Sequence, residues 1–143
     1  MSTPSDTSKY IMLIRNTGWH KDLSSEQIEE CLNQFTGWAE RLTGEGKIEG
    51  GHPLVHEGKL IDSKKTITDG PFAESKETIA GYILIRAASL QEAAELAKGA
   101  PCLDYGQTVE VRAISPEVPE LQIARRISRT LAERMANVFP RYQ

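Results

Sequence analysis

The chain reads as strand, helix, strand hairpin, strand, helix, strand, an order that predicts an α+β fold. One antiparallel sheet would carry two helices on one face, the ferredoxin-like βαββαβ layout. Three observations lead there. Apolar runs of strand length occupy residues 9–15 and 79–87. Two other stretches place apolar residues at three- and four-residue steps behind a serine suited to cap a helix. Glycine, proline, asparagine and aspartate punctuate the joints between them.

Taken in order, residues 1–8 read as a disordered tail. Lys9 to Arg15 is nearly continuous in apolar residues, as a central strand demands, and Asn16-Thr17-Gly18 ends it. Ser24 and Gln27 make a capping box, and Ile28, Cys31, Leu32, Phe35, Trp38, Ala39 and Leu42 follow as one helical stripe. Gly44 and Gly46 stop that helix. Lys47 to Val55 predicts an edge or bulged strand, because Gly50-Gly51 and Pro53 interrupt it. His56-Glu57-Gly58 turns the chain, and Lys59 to Asp62 is expected to return as its partner strand. Lys65 to Thr68 alternates in strand fashion, and Ile79 to Ala87 is a buried strand. Ser89 and Glu92 form a second capping box ahead of a helix through Lys98, whose alanines suit close packing on a sheet. Thr108 to Ile114 is a final half-buried strand. Pro116 and Pro119 mark a linker, so the organisation is a tail (1–8), an α+β domain (9–115), and a linker with an arginine-rich amphipathic helix over 120–138 (116–143).

Composition bounds the function. Of 143 residues, 39% are apolar and 26% charged, which suits one globular domain with a real core. A net charge of −3 argues against nucleic acid as a partner. No apolar run approaches the roughly 20 residues that span a bilayer, which argues against the membrane. The polar start lacks a secretory pattern, so a cytoplasmic location is expected. Cys31 falls on the apolar face of the first helix, whereas Cys102 follows Pro101 in a loop where it could be exposed. Dinucleotide, P-loop and cysteine-cluster motifs are absent, and no cofactor or metal is expected.

The densest chemistry lies in Asp69-Gly70-Pro71-Phe72-Ala73-Glu74-Ser75-Lys76-Glu77. A turn abuts an aromatic, with three carboxylates and a lysine in nine residues. This loop resembles the signature of the DGPF branch of the YCII-related family. The opening strand from Lys9, Gly50-Gly51 to Leu54, Gly81-Tyr82 and Val109 to Arg112 extend the resemblance over residues 9–114. It implies a ferredoxin-like protomer of the dimeric α+β barrel type, and so a homodimer as partner. It also implies a His and an Asp in a cleft as an acid/base pair acting on an unknown small molecule. On this chain Asp69 is the matching carboxylate, and His52 its candidate partner. A regulatory context beside extracytoplasmic-function sigma factors is implied as well. That supports a rival reading, a non-enzymatic interaction module acting through its dimer surface and C-terminal helix.

Each candidate has a plainer role beside the chemical one. Asp69 suits an Asx turn as well as catalysis. Phe72, Glu74, Lys76 and Glu77 form a candidate ligand rim or a solvated charge cluster. His52 has base chemistry suited to neutral pH, yet loop histidines are often idle. Spaced four apart in an extended segment, His52 and His56 would lie ~13 Å apart, too far to share a zinc ion. Tyr82 needs a partner for its hydroxyl and is a candidate pocket residue. Trp19-His20 could line a cleft or staple the first helix, and the second reading is favoured. Phe35 and Trp38 are read as packing residues.

Overall fold

The computed structural model describes residues 7–70 and 77–142. Two long strands, β1 (Ser8–Arg15) and β5 (Ile79–Ala87), form the middle of a four-stranded sheet. Strands β2 (Ile48–Pro53) and β6 (Thr108–Ala113) are its edges, in the order β2-β5-β1-β6. Every pairing is antiparallel, so the predicted ferredoxin-like layout is the one observed. β1 begins at Ser8, inside the expected tail, because Ser8 pairs with Ala87.

Alternation along the strands sets the layers. Met12, Ile85 and Ala87 are at most 1% exposed and lie under the helices with Tyr10, Ile14 and Ile83. Ile11, Leu13, Tyr82 and Leu84, which alternate with them, are half-buried on the helix-free face. Helix α1 (Ser25–Gly44) starts from the complete capping box: Gln27 N–H donates to Ser24 Oγ and Ser24 N–H to Gln27 Oε1. It buries Cys31, Trp38 and Leu42. Helix α2 (Leu90–Lys98) lays Ala93 and Ala97 flat on the sheet, where larger side chains would hold it off. Its cap is the serine half alone, Glu92 N–H donating to Ser89 Oγ at 3.1 Å. A short 3-10 helix, Pro101–Tyr105, follows and buries Cys102 at 2% exposure, so the cysteine whose exposure the sequence left open is interior.

Two expectations about elements need correction. The segment after β2 does not return to pair with it. Strand β3 (Lys59–Ile61) pairs instead with β4 (Ile67–Asp69) as a separate two-stranded ribbon. The reason is local: Asp62 Oδ1 accepts from the N–H groups of Lys64 and Thr66, each at 2.9 Å, and Lys65 takes φ 65°, closing a tight turn. The C-terminal helix is also two helices, α3 (Leu121–Ile127) and α4 (Arg129–Val138). Ser128 breaks the run with φ −159°, and its side chain accepts from Leu131 N–H as the cap of α4. The pair closes on a small cluster of Leu121, Ala124 and Ala132.

Candidate functional site

Edge strand β2 positions the site. Its two glycines permit an unusually close crossing over β5. Gly50 takes φ +142°, at a bulge between Ile48 and Gly50. A Cβ at Gly51 would strike the Tyr82 carbonyl and lie 2.9 Å from Ile83 Cα, while one at Gly81 would lie 3.0 Å from the His52 carbonyl. Only glycine fits at position 51, and a side chain at position 81 would need the facing backbone to give by a few tenths of an ångström. The pairing sets His52 opposite Tyr82.

That register makes a polar pair. His52 Nδ1 and Tyr82 Oη are 2.7 Å apart, with ring centroids 5.6 Å apart. The hydroxyl can donate to the ring nitrogen or accept from it, according to tautomer. His52 Nε2 makes no hydrogen bond among the described residues.

Beside this pair, a cavity of about 490 Å³ lies between α1 and the β2 end of the sheet. Helix α1 contributes Cys31, Leu32, Phe35 and Ala39, and the strands contribute Ile14, Ile48 and Ile83. Trp19 and Gln107 also line it, as do Gly50 to Pro53 and Ala80 to Tyr82. Tyr82 follows the helix-free alternation of β5, so the His52–Tyr82 pair stands at the rim of the cavity, not on its floor. Trp19 is fixed edge-on to Tyr105, with centroids 6.5 Å apart. Gln107 is buried and donates from Nε2 to the Asn16 carbonyl at 3.2 Å. Asn16 in turn donates from Nδ2 to Gly106 O and has φ 84°, locking the corner after β1.

The two thiols of the cavity carry their protons. Burial pushes Cys102 up to about 11, helped by the neighbouring Cys31 and Asp104 and opposed by its own backbone hydrogen bond. Cys31 is also raised, by burial first and the Asp104 charge second. Neither is poised as a nucleophile.

The other sequence candidates are dispersed. Asp69 closes the β3–β4 ribbon, its side chain 89% exposed and ion-paired with Lys59, and it does not line the cavity. The structure therefore brings His52 to Tyr82 and not to Asp69. Glu77 is exposed, and its backbone carbonyl, not its carboxylate, accepts from Arg15 at 3.1 Å. Phe72, Glu74 and Lys76 lie outside the described residues. His56, dismissed for metal binding, is 2.9 Å from Thr17 Oγ1, which also meets Thr78 Oγ1 at 3.2 Å. Among the described residues, no group of three or more His, Cys, Asp and Glu is placed to hold a metal ion. No helix among them is long and apolar enough to cross a membrane.

Sequence reasoning read Trp19 as a staple and Phe35 as packing, and it did not single out Gln107; all three line the cavity. One signal was available. An isolated glycine inside a strand, Gly81, marks a close backbone approach, and the Gly50-Gly51 pair was its natural counterpart.

Sheet order, helix placement and an apolar cavity at the sheet edge define the class, a ferredoxin-like α+β protein. More particularly, the chain belongs to the YCII-related family: the model of the YCII-related domain matches residues 9–118. Among solved structures, the chain is similar to 5-chloro-2-hydroxyhydroquinone dehydrochlorinase from Burkholderia phenoliruptrix AC1100, in complex with 2,5-dihydroxybenzoquinone. The identity is 12%, the TM-score 0.41, and the match covers 75% of this chain and 93% of that one. No curated protein matches the sequence.

Proposed function

We propose that the protein binds a small molecule in the cavity between α1 and the β2–β5 edge and turns it over by acid/base chemistry at His52. The observation that carries this reading is the 2.7 Å His52–Tyr82 contact at the rim of an apolar hollow. When Tyr82 donates to Nδ1, Nε2–H donates a hydrogen bond to the ligand; the acid is the imidazolium, protonated on both nitrogens, that forms once Nε2 has taken a proton. When Nδ1 donates to Tyr82, Nε2 presents a lone pair and serves as a base. Tyr82 is a positioning residue that selects the tautomer. Asp69 is assigned no part in the proton transfer, because its carboxylate is engaged by Lys59 on the exposed ribbon. The protein acts as a homodimer in which a second copy covers the helix-free sheet face.

Amide-shift mapping with a fragment library tests the binding step. Perturbations are expected at Gly51, Gly81 and the Trp19 indole; hits clustering on the β3–β4 ribbon would remove the cavity from consideration. For a bound ligand with an acidic carbon–hydrogen bond, solvent deuterium exchange should fall about 100-fold or more in His52→Ala. Asp69→Asn should leave it unchanged.

A second reading is favoured by one observation. Ile127, Val138 and Phe139 of the C-terminal helical segment are 72%, 68% and 58% exposed. In that reading the segment captures a regulatory protein. Deleting residues 116–143 would then abolish partner capture while cavity binding persists.

A further inference from the structure

The described lining of the cavity is poor in charge. Among its described lining residues there is no Asp, Glu, Lys or Arg. Its polar groups are few and mostly committed. The Gln107 amide is tied to the Asn16 carbonyl, and the imidazole and phenol at the rim are tied to each other. Both thiols are protonated, and the charge that reaches them, that of Asp104, is negative. A carboxylate or phosphate entering this space would lose its hydration without gaining a counter-ion from the described walls, and an ammonium would find no carboxylate among them. Dispersion and burial are what the walls do offer: Ile14, Ile48 and Ile83 on the sheet side, and the rings of Phe35 and Trp19. His52 Nε2, which makes no hydrogen bond among the described residues, suits one hydroxyl or carbonyl oxygen on the ligand.

Resting on the cavity as the ligand site, we propose that it takes an uncharged, flat, ring-bearing molecule with a single polar substituent. The ring system lies against the Phe35 and Trp19 walls, and the substituent reaches the rim at His52. The bare Gly50-Gly51 strip favours flatness, since the edge strand there presents backbone and no side chains.

Titration calorimetry on the full chain at neutral pH with three matched probes, naphthol, naphthoate and naphthylmethylammonium, tests it. Naphthol is expected to bind more than about tenfold tighter than either ion. Leu32→Arg, at a lining position already 51% exposed, places a cation in the wall and should shift the preference toward naphthoate. If naphthoate or the ammonium binds the natural chain as tightly as naphthol, and Leu32→Arg alters that binding, the site stands and the ligand class is overturned. If none of the three probes binds, or if Leu32→Arg alters the binding of none of them, the cavity reading falls and the ligand class falls with it.

Discussion

Cys102 shows at the level of one residue how this interior handles charge. Its thiol is pushed up to about 11 from an ordinary 9.0, so the native state keeps a proton that the unfolded chain releases earlier. The stabilisation this provides is fully present below pH 9.0 and is lost as pH rises to about 11. The urea midpoint should therefore hold level up to about pH 9 and fall from there to about pH 11, and Cys102→Ala should flatten the fall. The same burial predicts that iodoacetamide labels both cysteines only after denaturant is added, which mass spectrometry of the alkylated protein would show. Little of this was legible beforehand. Cys31 announced its burial through the helical stripe, but Cys102 sits behind a proline, and only the fold of the 3-10 helix turns it inward. His52 and Tyr82 are 30 positions apart, and their contact depends on the β2–β5 register, which includes a bulge.

At the level of elements, α1 was the most legible because its cap, stripe and stop all agree. Removing the cap hydroxyl with Ser24→Ala should cost about 1 kcal/mol, measured by urea unfolding. The β2–β5 crossing makes a sharper prediction. Gly51→Ala drives a methyl into strand backbone that cannot rotate away, so a loss of about 1–3 kcal/mol is expected, with cavity binding weakened in parallel. A matched Gly37→Ala, where a Cβ meets nothing within 4 Å, should be neutral or stabilising. The elements that escaped the sequence did so for specific reasons. The apolar steps of α3 and α4 run on across Ser128, so periodicity alone saw one helix, and only the serine's capping geometry divides it. The β3–β4 ribbon was misassigned because a turn with Lys65 at positive φ gives no glycine to announce it.

For the whole molecule, a single layer of helices leaves one sheet face to be accounted for. On that face Ile11, Leu13 and Leu84 are half-buried among ion pairs, with Arg15 joined to Glu110 at 2.8 Å and Glu49 to both Lys9 and Arg86. Apolar centre and charged border suit the proposed pairing with a second copy. Light scattering should return twice the protomer mass, and Leu13→Glu should return the single mass with the helical signal retained. A monomeric natural chain would withdraw the proposed dimer. The same region holds Tyr142. Lys9 N–H donates to Tyr142 Oη at 3.3 Å, and the Lys9 and Arg86 cations lie over the Tyr142 ring at 5.3 and 5.8 Å. Residues so distant in order are thus close neighbours in space. A short peptide bridge could join them and new termini be opened at the Lys64-Lys65 tip, giving a circularly permuted chain that keeps every strand pairing of the sheet.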